Sequence, residues 1–248
     1  MSFTPLVSYE GANSGRGLSP GLWAKQPRDF QDLSVGFGIQ DDFLSFDDAS
    51  VQWLLTQATA GTAACDVAAK GGVLLLDSAS STNNQGAQLQ LGGAAAASSF
   101  IASATSKIYY EARVKLTDIG STTVQFFAGL SEIDSTLFAS AANSSANHVG
   151  AEAINTTALG VHSEKAGSRS SSASVHTIAD GTYFKIGFVI DGVSKVTPYV
   201  NGEAKTAITT NVPIVELTPS FVCHSSGTTD PILHIDWVAC YQEEQIDN

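Results

Sequence analysis

The chain has 248 residues, and 43% of them are hydrophobic, which is enough for a buried core. It carries 24 acidic and 12 basic residues, and the net charge of −12 disfavours binding to the phosphate backbone of nucleic acids. The sequence shows neither the run of ~20 apolar residues that a membrane helix requires nor a signal peptide, and three separated cysteines predict buried thiols in a reducing compartment, not disulfides.

The first 36 residues differ from the remainder of the chain. They contain three of the seven prolines, and their apolar residues follow neither the period of a strand nor that of a helix. We predict an extended N-terminal arm over residues 1–36, followed by a single folded domain over residues 37–248. Because ordering the arm costs more backbone entropy than its own apolar side chains recover, we expect it to order only on a partner. The partner-binding side chains predicted in the arm are Phe3, Tyr9, Leu22, Trp23 and Phe30.

From Phe37 onward, apolar and polar residues alternate, as they do in half-buried antiparallel strands. The stretch KIYYEARVKL (Lys107–Leu116) is an example, with Ile108 and every second residue after it on the predicted core face. About a dozen such runs, separated by turns rich in Gly, Asn, Asp and Ser, predict an all-β fold of two antiparallel sheets packed as a sandwich. The dipeptides Asp191-Gly192 and Asn201-Gly202 predict hairpin turns that join three strands into a meander.

Several of these blocks together resemble a known fold family. The order of YYEARVKL, FFAGLSEIDSTLFA, GTYFKIGFVID, VTPYVNGEA, LTPSFVCHSSG and LHIDWVACYQ resembles the concanavalin A-like lectin/glucanase jelly roll in its laminin-G-like form. More narrowly, it is similar to virion structural proteins of tailed bacteriophages, including head decoration (cement) proteins. The resemblance covers Gly38 to Gln242 and leaves the arm outside. It implies a two-sheet antiparallel jelly roll that serves adhesion, either to a capsid surface or to glycans.

One short motif invites comparison with the hydrolases of this jelly roll. Those enzymes carry a Glu-x-Asp-x-x-Glu strand whose two glutamates act as nucleophile and acid/base. The chain has Glu132 and Asp134 at the first two positions, but Leu137 stands where the second glutamate is required. Without that carboxylate the mechanism lacks a proton donor, so we predict no enzymatic activity. Asp134 is expected instead to cap a turn, or a short helix over Thr136–Ala141.

Metal and cofactor binding are not expected. The five histidines show no metal-ligand spacing, although His162 and His176 are predicted to face each other if a hairpin turns near Arg169. Calcium is an alternative, because Asp41-Asp42 and Asp47-Asp48 supply oxygens near the first strand. No calcium-binding loop follows, however, and charged residues also protect an edge strand from pairing. We therefore predict that the chain binds neither a metal nor another cofactor.

A sugar-binding patch is predicted on the outward face of two strands, where an aromatic platform lies beside carboxylate and guanidinium groups. The same residues could instead form a packing surface, and this alternative stays open. The predicted patch consists of Tyr109, Glu111, Arg113 and Phe127.

The leading hypothesis is a non-enzymatic phage capsid decoration protein. It would bind the major capsid protein through its arm, form a homo-oligomer, plausibly a trimer, and be made in the host cytoplasm before it joins the virion surface. Many weak copies on a symmetric shell would gain from avidity. The alternative is a carbohydrate-binding module of a phage tail fibre or host-attachment protein.

Overall fold

The computed structural model describes residues 16–24, 26, 35–47, 52–92, 100–120, 124–139, 142–143 and 145–243. The elements in chain order are the helix α1 (Pro20–Trp23) and the strands β1 (Gly36–Asp41), β2 (Trp53–Ala58), β3 (Thr62–Cys65), β4 (Leu74–Asp77), β5 (Gly86–Leu91), β6 (Lys107–Thr117), β7 (Val124–Ser131), β8 (Phe138–Ala139), β9 (Ala142–Asn143), β10 (His148–Thr156), β11 (Ala158–Lys165), β12 (Ser168–Thr177), β13 (Phe184–Asp191), β14 (Lys195–Val200), β15 (Glu203–Ala204), β16 (Thr218–His224) and β17 (Ile232–Glu243). No helix in the described part of the chain is long and apolar enough to cross a membrane.

Two large antiparallel sheets form a sandwich. The eight-stranded sheet has the order β15-β14-β13-β6-β17-β4-β3, with β1 paired to the C-terminal part of β17. The seven-stranded sheet has the order β12-β11-β10-β7-β16-β5-β2. The all-β sandwich predicted from the alternating pattern is therefore confirmed.

The alternating side chains of β6 show how the core forms. Ile108, Tyr110 and the next three alternate residues are all fully buried and belong to one apolar cluster between the sheets. Tyr110 stacks on Phe188 of the adjacent strand, with ring centroids 4.9 Å apart. Burial of this kind contributes about 1.5–3 kcal/mol per large apolar side chain, so the inner faces of the two sheets dominate the stability of the fold.

The predicted meander forms from β13, β14 and β15. Asn201 and Gly202 both adopt positive φ, at 50° and 82°, and Val200 pairs directly with Glu203, as a two-residue primed turn requires. The turn at Gly192 is longer, because Asp191 pairs with Lys195 across three intervening residues. Both hairpins were therefore predicted correctly, and only the loop length of the first differs.

Two further predictions meet different outcomes. All three cysteines are free thiols; Cys223 and Cys240 are buried, as predicted, whereas Cys65 is only half-buried. The helix predicted over Thr136–Ala141 is wrong for the described part of that stretch, where Phe138–Ala139 pairs with Ala142–Asn143 as a short hairpin. The division between an arm and a domain at residue 36 stays a prediction, and β1 begins at Gly36.

Candidate functional site

Residues 16–24, called the arm segment below, lie on the outer face of the eight-stranded sheet. Pro20 stands at the first position of α1, where its missing N–H costs no hydrogen bond, and Ser19 accepts main-chain bonds from Leu22 and Trp23. Leu22 is fully buried and Trp23 is 2% exposed, both within an apolar cluster of the sheet's outer face. Leu22 and Trp23 were predicted to contact a partner, but in this structure the chain's own strands cover their apolar surfaces.

The structure does not test the other predicted arm anchors. Phe3, Tyr9 and Phe30 lie outside the described residues. Their assignment to partner binding stays a prediction.

The arm segment is held by a defined group of side chains, called the arm-binding surface below. The carboxylate of Glu111 accepts hydrogen bonds from the Ser19 main-chain N–H (2.9 Å) and from the indole N–H of Trp23 (2.8 Å). The Trp23 ring stacks on that of Tyr109, with centroids 5.9 Å apart. Trp237 donates its indole N–H to the carbonyl of Arg16, and Lys185 donates to the carbonyl of Gly17. The members of this surface are Tyr109, Glu111, Lys185, Gly187, Tyr199 and Trp237.

Glycine shapes this surface where the two backbones approach. A Cβ on Gly187, in the middle of β13, would lie 2.7 Å from Cδ1 of Leu22. A Cβ on Gly21 would overlap the carbonyl oxygen of Gly202 in the β14–β15 turn. Glycine inside a strand weakens the strand and marks the close approach of another group, which here is the arm segment.

The predicted sugar-binding patch is corrected by these contacts. Tyr109 is fully buried and Glu111 is 1% exposed, because the arm segment covers both. Arg113 lies beside the arm segment, where it binds Asp236 and its guanidinium lies 3.9 Å from the centre of the Tyr183 ring. Phe127 lies on the outer face of the other sheet, so the four predicted residues do not form one patch.

Phe127 is buried for a separate reason. It packs edge-on against Phe138, whose strand β8 lies over the outer face of the seven-stranded sheet. β6 and β7 follow each other in the chain, and the predicted patch assumed that their outward faces adjoin. They belong to different sheets.

One cavity remains at the margin of the arm-binding surface. It measures about 180 Å³ and opens on the same outer face, where the Tyr109 hydroxyl donates to Glu243. Its lining combines tyrosine rings with polar side chains. The lining residues are Lys107, Tyr109, Val189, Asp191, Lys195, Thr197 and Tyr199.

The outer face of the seven-stranded sheet carries an ionic network that the sequence did not reveal. Arg169 of β12 donates from Nη1 to Glu152 of β10 and from Nε to Glu164 of β11, both at 2.7 Å. Glu152 is only 4% exposed and Glu164 9%, so both carboxylates depend on this guanidinium for their charge balance. His148 and His162 lie at the edge of the network, with their Nε2 atoms 3.9 Å from Glu164 and 4.0 Å from Glu152.

Register explains why the network escaped prediction. Ala166 and Gly167 form the β11–β12 turn, both with positive φ, so Arg169 stands opposite Glu164 and His162 opposite Ser171. The predicted pairing of His162 with His176 is wrong, since it assumed a turn near Arg169. Gly167 was the signal in the sequence that could have fixed the turn.

Burial sets the protonation states in this network. It raises the pKa of the Glu152 carboxyl, although Arg169 opposes the rise. Burial, together with the positive charge of Arg169, lowers the pKa of His148 and of His162 from 6.5 to about 4. Both imidazoles are therefore neutral at pH 7, and His148 directs Nδ1 toward the carbonyl of Ser145 at 3.1 Å. Since a carbonyl only accepts, Nδ1 carries the proton.

These shifts predict acid sensitivity. The unfolded chain takes up protons on histidine near pH 6.5, whereas His148 and His162 in the folded protein resist protonation down to about pH 4. The unfolded state therefore binds more protons in this window, and the free energy of unfolding should fall by a few kcal/mol as the pH is lowered through it. Urea unfolding curves of the wild type and of His148→Gln at pH 7 and pH 4.5 measure the effect. A pH-dependent loss of equal size in both proteins contradicts the assignment to His148.

Three buried glutamates on the outer faces of the sheets, Glu111, Glu152 and Glu164, are engaged by other groups of the chain. A retaining glycosidase needs one free carboxylate as nucleophile and one protonated carboxyl as acid. Here Glu152 and Glu164 share one guanidinium, and Glu111 is occupied by the arm segment. Within the described ranges, no group of three or more His, Cys, Asp or Glu side chains is placed to hold a metal ion.

The Glu132–Asp134 motif takes the turn that the sequence predicted. β7 ends at Ser131, Glu132 accepts a hydrogen bond from the Asn147 amide, and Asp134 caps the N–H of Thr136 at 2.9 Å. The side chains of Gln88 and Gln90 bind the main chain of residues 132, 134 and 137 and hold the turn on the sheet. Leu137, at the position of the missing carboxylate, is fully buried.

Comparison with known proteins places this geometry in a fold family. No protein-family model matches the sequence, and no curated protein matches it either. Among solved structures, a protein of unknown function from Shewanella oneidensis MR-1 is similar, with a TM-score of 0.60, 11% identity and coverage of 86% of this chain and 90% of that one. Peanut lectin gives a TM-score of 0.57 at 14% identity, covering 86% of this chain and 99% of the lectin.

A third similar structure is an enzyme. The endo-1,3-β-glucanase of Streptomyces sioyaensis gives a TM-score of 0.55 at 11% identity and covers 84% of this chain and 96% of the enzyme. At these identities the shared feature is the fold, which is the concanavalin A-like lectin/glucanase jelly roll. Because the same fold occurs in lectins and in glycan-degrading enzymes, it does not by itself decide whether this chain is an enzyme.

Proposed function

We propose that the chain is a non-enzymatic structural protein of a phage virion, of the capsid-decoration kind, made in the host cytoplasm and located on the head surface. Its partner is the major capsid protein, and copies of the chain associate with one another. The resemblance of the sequence blocks to phage virion proteins motivates the proposal. The jelly-roll fold is compatible with it.

One observation carries the non-enzymatic part of the proposal. The glutamates buried on the two outer faces are engaged by other groups of the chain. Glu152 and Glu164 bind Arg169, and Glu111 binds the arm segment. Glu132 faces Asn147 and has no second carboxylate at Leu137. A general acid needs a carboxyl that is free to exchange a proton with substrate, and these groups are not.

We assign capsid binding to the residues that precede the arm segment. Arg16 is fixed at the margin of the arm-binding surface, where its Nε donates to Asp236 at 2.9 Å. Residues 1–15 therefore start from a defined point of the body. Phe3 and Tyr9 are the proposed contacts with the capsid, since aromatic side chains commonly dominate interface energies.

A second candidate function is carbohydrate binding in a tail fibre or host-attachment protein. The 180 Å³ cavity favours it, because polar side chains such as Asp191 and Thr197 line it beside the largely buried rings of Tyr109 and Tyr199. Sugar sites combine an apolar ring surface with a few polar groups that fix orientation. This cavity retains one residue of the predicted patch, Tyr109.

Co-sedimentation with purified capsids that lack the protein tests the leading proposal. Full-length protein is expected to pellet with capsids, and the double variant Phe3→Ala/Tyr9→Ala to pellet much less, whereas Leu44→Ala, which changes an exposed side chain (72%), serves as the matched control. Equal pelleting of all three proteins removes the arm residues from the mechanism.

On a glycan array, selective binding that Asp191→Asn and Thr197→Ala abolish would favour the second function. Turnover of a β-glucan by the wild type would contradict both.

A further inference from the structure

The arm segment behaves as a discrete ligand of the sheet on which it lies. Its main-chain hydrogen bonds are internal to the segment, from Leu22, Trp23 and Ala24 back to Ser19 and Pro20. The hydrogen bonds described between it and the strands involve a side chain, as in the pairs formed by Glu111, Lys185 and Trp237. Within the described residues, the segment therefore belongs to neither sheet, in contrast to β1.

The arm-binding surface is complementary to the arm segment in shape and in hydrogen bonding. Gly187 leaves the space that Leu22 fills, and Glu111 is buried with both of its contacts supplied by the segment. The aromatic rings of Tyr109, Tyr199 and Trp237 belong to one apolar cluster, and they would be exposed to water if the segment left. A contiguous exposed apolar patch of this kind favours association, so an empty surface would recruit another copy of the segment.

The covalent connection sets how far the segment reaches. Eight residues, 27–34, separate Gln26 from Val35 at the start of the body. Nine Cα–Cα steps span at most roughly 30 Å when fully extended, which is comparable to the diameter of a small domain. A linker of this length allows docking on a neighbour whose arm-binding surface lies within that distance of Val35.

We propose that the arm-binding surface is an assembly site, on which the arm segment of one copy docks onto the eight-stranded sheet of a second copy. The inference rests on the homo-oligomer of the proposed function and names the contact that forms it. Each copy has one segment and one surface, so exchange preserves every contact described above, and a head-to-tail ring such as a trimer leaves no surface empty.

Local concentration decides between the two arrangements. A segment on a short linker meets its own surface at an effective concentration of about millimolar. Docking between copies prevails where neighbouring surfaces exceed that concentration, as on a densely decorated shell. In dilute solution the segment docks on its own chain.

Disulfide trapping tests the exchange in the full-length chain. A Cβ on Gly202 lies 3.2 Å from Cβ of Ser19, close to the separation that a disulfide requires. Ser19→Cys and Gly202→Cys are introduced separately into a Cys65→Ser background and mixed in equal amounts. The mixture is oxidised at concentrations from about 10 µM to about 1 mM, a range that reaches the effective concentration. A covalent dimer that increases with concentration and is absent from either variant alone is the expected result.

The double variant carrying both cysteines serves as the positive control. Its intramolecular disulfide at low concentration shows that the pair can close and that the protein folds despite the positive φ of Gly202, 82°. If this disulfide forms while the mixture stays monomeric up to the highest concentration, the exchange does not occur.

A second measurement avoids the strained position. The mass of the unsubstituted chain is followed by light scattering over the same concentrations. A mass that rises with concentration together with the covalent dimer supports exchange, whereas a monomer throughout overturns it. Capsid co-sedimentation is a separate readout, so failure of exchange and failure of capsid binding remain distinguishable.

Discussion

Replacing Trp23 by alanine is expected to lower the free energy of unfolding by about 3–5 kcal/mol, the range for truncating a large buried aromatic side chain. The change removes the ring that stacks on Tyr109 and leaves one contact of the Glu111 carboxylate unmade. Burial already raises the pKa of Glu111, so loss of a hydrogen bond to its charged form adds to the cost. Equilibrium urea unfolding followed by far-UV circular dichroism measures the difference.

Two controls separate the contributions to this loss. Trp23→Phe keeps most of the buried ring but removes the indole donor, and we expect a cost of about 1–3 kcal/mol. Leu44→Ala changes a leucine that is 72% exposed and should stay within about 0.5 kcal/mol of the wild type. If Trp23→Ala proves as stable as Leu44→Ala, the arm segment does not dock on the eight-stranded sheet in solution.

Replacing Arg169 by methionine is expected to lower the free energy of unfolding by about 3 kcal/mol at pH 7, because it leaves two buried carboxylates unpaired. We expect the low end of the usual range, since the guanidinium side chain is 31% exposed and water partly compensates Glu164. Lys165→Met removes a positive charge from the exposed end of the same hairpin and is the matched control. It should change stability by less than about 0.5 kcal/mol.

The pH dependence of Arg169→Met gives an independent check. Burial raises the pKa of Glu152 even with Arg169 present, and removing the guanidinium raises it further. A carboxyl whose folded pKa exceeds its unfolded pKa favours the folded state at low pH and loses that contribution as the pH rises. The deficit of Arg169→Met relative to the wild type should therefore shrink between pH 7 and pH 5. A deficit that is constant or grows over this interval would argue against unpaired carboxylates as its cause.

The structure also changes the role expected for residues 16–24 of the arm. An extended arm that orders only on a partner was the expectation, yet residues 16–24 are already packed, with Leu22 and Trp23 on the chain's own sheet. The segment gains burial and hydrogen bonds from another surface, as the entropy cost of ordering it requires. The surface is supplied by β6, β13 and β17, which the sequence could not place beside the arm.

The sequence by itself determined the long strands, their inward side chains and the Asn201-Gly202 turn. These features depend on short-range rules, since side chains alternate every two residues along a strand and only a few residue types accept positive φ. The same alternation marked Tyr109 and Glu111 correctly as outward-facing.

Only the tertiary structure decided what covers those outward faces. Burial of Tyr109 and Glu111 depends on a segment about ninety residues earlier in the chain, as the separation of 92 between Ser19 and Glu111 shows. The network of Glu152, Glu164 and Arg169 depends on the register of three strands, and a shift of one residue in the turn would point Arg169 to the other face. Alternation fixes which side of a sheet a residue occupies, but packing between distant segments fixes whether that side meets water, and the polar chemistry of this protein lies in such packing.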